Sequence, residues 1–392
     1  MIRKIVENVY NVGAVDWDRR LFDELIPLPQ GTSYNAYIIL GSEKTALIDT
    51  AEPYKWEELK KNIEELGVEK IDYIISNHAE QDHSGCLPFM LEMFPEAKIV
   101  TNEKCKQFEM DLLHIPEEKF MVIKEGDVLS LGDKTLEFIM TPWVHWPETM
   151  TTYLQEDKIM FTCDFFGSHV ATSHAFAKDY DRIYHEAKRY YAEIMMPFRK
   201  FIERNIKKIE EREITMIAPS HGPVYDEPKY IINAYKEWID DKPKNITLIA
   251  FVSMHDSTRK MVDYLVDVLS DKKIDVRARN LITTDLGEIA MDLVDAASII
   301  IATPTVLAGP HPAVLATAYL ANALRPKARF AAIIGSYGWG GRTVDILKAT
   351  MGNLKIELLE PLLIKGLPEG EDYKALDKLA EKIKEKHDSI GL

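Results

Sequence analysis

Cysteine is scarce in this sequence: three residues in 392, Cys86, Cys105 and Cys163, with no CxxC pair among them. That spacing excludes a rubredoxin-type or zinc-ribbon module and leaves no disulfide framework, so the thiols read as small buried hydrophobes of a reducing cytoplasm. Positive charge is also short. With 48 Lys and Arg against 63 Asp and Glu, the formal charge is −15, which argues against nucleic acid or an anionic membrane surface as the main partner. No apolar run reaches membrane-spanning length; the richest, near Ser298–Ala308, is broken by proline. The N-terminal MIRKIVENVYNV lacks the apolar core of a signal peptide, so export is not expected. There is no short-period repeat and no G-x-G-x-x-G, hence no dinucleotide-binding turn.

What is present is enough for two domains, each with its own core. Apolar and charged fractions of 46% and 28% are those of a globular protein. The clearest joint is IDDKPKN, Ile239–Asn245, where a helical stretch from Pro228 to Trp238 gives way to a new apolar strand, giving domains of residues 1–244 and 245–392. After the joint, strands read at Ile246–Val252, Asp275–Arg279, Ser298–Ala302, Arg329–Gly335 and Asn353–Leu358, with helices between them and a final charged helix near Glu371–His387. Continuous apolar strands alternating with helices predict an α/β doubly wound parallel sheet. Before the joint, short strands such as Tyr37–Leu40 and Ala46–Asp49 lie close together and then alternate with helices such as Trp56–Leu66. That mixture suggests two mixed sheets packed together under helices.

The polar residues of the first half are placed at strand ends. HAEQDH, with His78, Glu80, Asp82 and His83, follows the strand Ile71–Ser76; His145 follows Thr135–Thr141; Asp164 follows Lys158–Cys163; His221 follows Ile214–Ala218. One histidine after a strand is more often structural, but four strands each delivering a ligand type point to a metal site. These seven side chains are too many for one four-coordinate zinc. Asp164 can bridge two metals, leaving three terminal ligands and an open position on each side. Glu80 stands where a zinc hydrolase normally carries histidine. The extra carboxylate makes the site harder and more anionic, favouring iron or manganese and a redox role over water activation. His169, in FGSH, is within reach of supporting this site, and Trp143 and Trp146 flank His145; the other histidines read as surface or core residues.

In the second half, three loops follow strand ends at one sheet edge, where such sheets bind ligands. SMHDST supplies Ser253, Met254, His255, Asp256, Ser257 and Thr258 at a helix start, a setting suited to phosphate although Ser and Thr there are often only caps. TPT supplies Thr303, Pro304 and Thr305. GSYGWGG supplies Ser336, Tyr337, Gly338, Trp339 and Gly340, whose aromatics can stack on a flat ligand. Asp256 would repel a phosphate unless it turns away.

The motif H-x-E-x-D-H, with His145 in WVHWPE, Asp164 in TCDFFGS and His221 in PSHGP, resembles the flavodiiron proteins over essentially the whole chain. The resemblance implies a metallo-β-lactamase-like αββα sandwich, to which GTSYNAYIIL and ALIDT also correspond, followed by a flavodoxin-like domain carrying FMN. It implies one iron on His78, Glu80 and His145, another on Asp82, His83 and His221, and Asp164 between them. Asp49 is read as a polar support, not a ligand. The expected activity is reduction of dioxygen to water, nitric oxide to nitrous oxide, or both. Electrons would come from a separate donor: a rubredoxin-like protein, a deazaflavin cofactor or a flavin reductase. A dizinc hydrolase fused to an electron-transfer flavodoxin domain is the alternative, disfavoured by Glu80. Domains of about 245 and 145 residues have radii of gyration of roughly 18 and 15 Å, so sites at their rims would lie roughly 40 Å apart within one chain. A head-to-tail homodimer, alone or as a dimer of dimers, would bring each flavin to its partner's metals.

Overall fold

The computed structural model describes residues 1–392 and divides into two compact units, Met1–Ile239 and Asp240–Leu392. The first contains a seven-stranded and a five-stranded sheet. The larger runs, in spatial order, through Arg3–Val6, Val9–Asn11, Tyr37–Leu40, Thr45–Ile48, Tyr73–Ile75, Lys98–Asn102 and Phe120–Ile123. The smaller runs through Val128–Ser130, Thr135–Met140, Met150–Leu154, Ile159–Cys163 and Met216–Pro219.

The strand alternation explains why these segments read as unbroken apolar runs. Tyr37, Ile39, Ala46 and Ile48 point inward and pack with Phe138, Leu154 and Phe161 of the second sheet. Their neighbours Ile38 and Leu47 point the other way, onto Leu59 and Ile63 of the helix Trp56–Glu65 and onto Leu87 and Met90. Both faces are covered, so both must be apolar. This is the αββα sandwich, with the metallo-β-lactamase-like order of the chain. Truncating a fully buried side chain such as Phe138 to alanine would cost about 3–5 kcal/mol.

The second unit is flavodoxin-like. Its sheet runs Asp275–Asn280, Lys244–Phe251, Ala296–Val306, Phe330–Tyr337, all parallel, which is the order 2-1-3-4 of a doubly wound fold. The last strand departs from the sequence expectation of Asn353–Leu358. Only Glu357–Leu358 pairs there, with Phe330–Ala331, and a second piece, Leu362–Lys365, pairs with Ile334–Tyr337. Pro361 lies between the two pieces and has no N–H to give the ladder, so the edge strand is split. The final helix, Glu371–Asp388, packs Leu376, Leu379, Ala380 and Ile383 beneath this sheet against the helix Ser257–Asp271.

Candidate functional site

Each strand that was expected to deliver a polar residue does so at its carboxyl end. Tyr73–Ile75 leads to His78 and Glu80, and the short helix Gln81–Ser84 carries Asp82 and His83. Ile159–Cys163 leads to Asp164, and Met216–Pro219 leads to His221. The turns that aim these side chains are strained. Asp49, Trp143, Cys163 and Phe166 all hold positive φ, 53°, 65°, 51° and 68° respectively, a region that non-glycine residues occupy mainly where surrounding structure enforces it.

The seven side chains come together in two groups that share Asp164. Its Oδ2 lies 3.4 Å from Nε2 of His78 and 3.3 Å from Nε2 of His145, and Glu80 Oε2 is 3.1 Å from both nitrogens. Its Oδ1 lies 2.9 Å from Nε2 of His83 and 3.4 Å from Nε2 of His221, while Asp82 reaches those nitrogens at 3.3 and 3.0 Å. The ligand atoms of His78, Glu80, His145 and Asp164 lie within 4.8 Å of one another, as do those of Asp82, His83 and His221. All are buried except Glu80 and His145, which are half-buried and form the open side.

The hydrogen-bond pattern fits cations between these atoms. Nδ1 of His221 donates to the Ser33 carbonyl at 2.7 Å, which turns the Nε2 lone pair toward Asp82 and Asp164. His78 is held the same way by Glu148. Both Asp82 oxygens are buried and faced by imidazole nitrogens alone. Without a metal, the carboxylates oppose the effect of burial and raise the imidazoles, His145 to about 9 and His221 to about 10, and the imidazoles in turn hold Asp164 well below the usual carboxylate range. Two cations would satisfy the same atoms. Three carboxylates give the set a donor chemistry suited to hard metals.

Asp49, His169 and Trp146, read from the sequence as supports or neighbours of the site, take up such places, and Tyr190, Phe22 and Asp23, which the sequence did not single out, join them. Asp49 accepts from Asn77 through both oxygens, at 2.8 and 2.9 Å, and Ser220 Oγ is 3.4 Å away, so one buried carboxylate ties the His78 loop to the His221 loop. His169 is buried beside His221, with ring centroids 4.8 Å apart, and its Nδ1 meets Thr32 Oγ1 at 2.9 Å; burial and the His221 charge hold it neutral. Tyr190 meets His169 edge-on with ring centroids 4.8 Å apart, and burial and the nearby Asp164 charge hold its phenol well above the usual range. It ends the helix Tyr180–Tyr190 where a π-helical turn, Tyr191–Met195, begins. Trp146 stands edge-on to His78 at 5.0 Å, whereas Trp143 is 41% exposed and stacks on Phe198. The hairpin of Leu21–Phe22 and Ile26–Pro27 lays Phe22 against His169 and His221. It also sets Asp23 at the rim, raised to about 6 by partial burial and by Glu80 and Asp82.

In the second unit a cleft opens at the carboxyl edge of the sheet. Its lining includes Ser253, Met254, His255, Ser257 and Thr258 from the first loop, Pro304 and Thr305 from the second, and Ser336, Tyr337 and Gly338 from the third. Gly366, from the loop after Leu362–Lys365, also lines it and was not anticipated. Asp256 is absent from the lining: it adopts a left-handed conformation at φ 62° and leaves the helix start to Ser253, whose Oγ accepts from Arg259 N at 3.1 Å. Thr303 is buried behind the cleft, accepting from His311 N. Trp339 is 73% exposed and, like Gly340, stands outside the lining. A Cβ on Gly338 or Gly340 would meet nothing within 4 Å, so the loop presents open backbone. Hydroxyls, free amides at a helix start and one aromatic ring form a cradle for a phosphate attached to a planar ring.

Residues 32–222 match the family described as ODP family beta lactamase. The chain is 36% identical over 393 residues to the nitric oxide reductase of Moorella thermoacetica, covering 97% of both chains. It is 34% identical over 397 residues to the coenzyme F420H2 oxidase of Methanothermobacter marburgensis, again covering 97% of both. The rubredoxin oxygen:oxidoreductase structure from Desulfovibrio gigas superposes with a TM-score of 0.95 at 29% identity, covering 100% of this chain and 99% of that one. The flavodiiron protein of Giardia intestinalis superposes with a TM-score of 0.93 at 26% identity, covering 100% and 97%.

Proposed function

The chain belongs to the flavodiiron proteins, a family of oxidoreductases, and on that footing we propose that it reduces dioxygen to water, nitric oxide to nitrous oxide, or both. The observation that carries the reading is the division of Asp164 between two ligand groups, one of which includes Glu80 in place of a histidine. His78, Glu80 and His145 would hold one iron, Asp82, His83 and His221 the other, and Asp164 both. When bound, the iron pair would supply electrons and an open position on each metal for a diatomic gas. The protein's part is to fix those positions. Glu148 and the Ser33 carbonyl orient His78 and His221, Asp49 locks the loops, and Phe22 and Trp146 wall the site with apolar surface. Glu80 adds negative charge, which favours a redox metal over zinc and weakens the dizinc hydrolase alternative.

FMN would occupy the cleft, with residues 1–244 as the metal-binding part and 245–392 as the flavin-binding part. Relatives named for coenzyme F420H2 and for rubredoxin support a separate electron donor of deazaflavin or rubredoxin type, with a flavin reductase as a third class. A head-to-tail homodimer in the cytoplasm is the working unit in this reading. Mixing a His83→Ala variant with a flavin-deficient one should restore activity in the pairing that joins an intact flavin to an intact metal site. Protein grown with iron should contain about two irons and one FMN per chain and consume one of the gases with a reduced donor. An active protein holding only zinc would overturn the assignment.

A further inference from the structure

Tyr34, Tyr54 and Asp16 form a line from the metal site to the surface. Tyr34 is fully buried and stands edge-on to His221, with ring centroids 5.8 Å apart. Its hydroxyl is 3.0 Å from that of Tyr54, which is 51% exposed, and the two rings are 6.2 Å apart. Tyr54 donates to Oδ2 of Asp16 at 2.5 Å. The proton directions follow from the outer end. An ionised carboxylate only accepts, so the single Tyr54 proton points to Asp16 and the Tyr34 proton must point to the Tyr54 oxygen. Burial works against the Asp16 charge. The Tyr54 hydrogen bond, the Lys55 ammonium 3.7 Å away and the amides of Asp18 and Arg19 outweigh it and hold Asp16 below its usual range. Both phenols therefore donate outward, away from the metals and toward a proton acceptor.

We propose that this line carries oxidising equivalents out of the metal site when dioxygen has been taken up with too few electrons in store to complete its reduction. Resting on the function proposed above, the step balances as follows. Tyr34 gives one electron toward the site past His221 and passes its proton to the Tyr54 oxygen, while the Tyr54 proton goes to Asp16. Tyr54 then returns one electron and one proton to Tyr34. The net result is one electron delivered to the site, one proton on Asp16 and then in water, and a neutral phenoxyl radical on Tyr54. There a small thiol supplies an electron and a proton, and two such thiols pair as a disulfide. The Arg19 guanidinium and the Lys55 ammonium, 5.5 and 5.8 Å from the Tyr54 ring centre, penalise a ring cation and so tie electron loss to proton loss. Tyr190 lies as close to His221, with ring centroids 5.8 Å apart, but is fully buried and gives no way to solvent.

The test uses iron- and FMN-loaded protein, given two electrons per chain without oxygen, mixed with dioxygen, and frozen within milliseconds for electron paramagnetic resonance. A tyrosyl signal is expected in the parent and lost in both Tyr34→Phe and Tyr54→Phe, the latter because it removes the oxygen that takes the Tyr34 proton. Asp16→Asn should reduce its yield several-fold. With excess donor, Tyr54→Phe should consume gas at the parent rate, yet inactivate several-fold faster over electron-limited cycles. Failure of the parent to consume either gas would refute the proposed function itself. Gas consumption without a tyrosyl signal, or a signal that survives Tyr34→Phe and vanishes in Tyr190→Phe, overturns the relay alone. Iron content and thermal melting of each variant identify any that has merely lost its fold, and rescue of the signal by Tyr34→3-fluorotyrosine supplies the conservative control.

Discussion

Glu148 holds His78 from behind: its Oε1 is 2.6 Å from Nδ1 of the imidazole and also accepts from the Ala79 amide at 3.2 Å. The contact fixes which nitrogen carries the proton and points Nε2 at Glu80 and Asp164. Glu148→Gln should keep the fold and lower metal affinity at that half of the site about 10–100-fold, the usual cost of losing such a partner. Titration of metal-free protein with ferrous iron against a competing chelator reads this directly. Unchanged affinity would mean that Glu148 does not orient a ligand.

Glu80→His replaces an anionic oxygen with a neutral nitrogen at the open side of the site. Zinc uptake from an equimolar zinc and iron mixture should rise, and gas turnover should fall at least tenfold while the melting temperature stays within a few degrees. Retention of the parent's metal preference would remove Glu80 from the ligand set.

For the flavin, the structure separates two aromatics that the sequence could not. Tyr337 lines the cleft, whereas Trp339 projects into solvent. Tyr337→Ala should weaken FMN binding by about 1 kcal/mol, roughly fivefold, and Trp339→Ala by less. Equilibrium dialysis of both variants settles the order; the reverse order would place the stacking on Trp339.

In the second unit, His387 is fully buried, donating through Nδ1 to Asn245 Oδ1 at 2.8 Å and accepting at Nε2 from Ser298 at 2.9 Å. Burial, with Lys384 adding, lowers its pKa from 6.5 to about 4. Between those values the unfolded chain binds a proton that the folded one refuses, so stability is complete above pH 6.5 and is lost as pH falls toward 4. By pH 5 the loss is on the order of 2 kcal/mol. Melting curves from pH 7.5 to 4.5 should show this slope, and His387→Gln should flatten it.

The legible parts of the molecule were those written locally in the chain. Each ligand type follows an apolar strand by a few residues, so its place at a sheet edge could be read without knowing the fold. The doubly wound parallel sheet of the second half was equally plain, because helices and continuous apolar strands alternate. What could not be read were contacts between distant segments. Glu148 meets His78 across 70 residues, Ser33 meets His221 across 188, and Asp49 meets Ser220 across 171. No periodicity encodes such pairs; they appear only when the loops converge. Pro361 was visible in the sequence, but not that the interrupted strand would resume beyond it.

The most direct test is a single turnover with and without metal. The flavin is photoreduced under argon in iron-loaded protein and in the same protein stripped by chelator, and each is mixed with dioxygen or nitric oxide while flavin absorbance and products are followed. The iron-loaded protein is predicted to reoxidise its flavin rapidly, yielding water from dioxygen or nitrous oxide from nitric oxide. The stripped protein should react slowly, releasing hydrogen peroxide from dioxygen and nothing from nitric oxide. Equal rates and identical products in the two samples would contradict the account, because the flavin alone would then be the site of gas reduction.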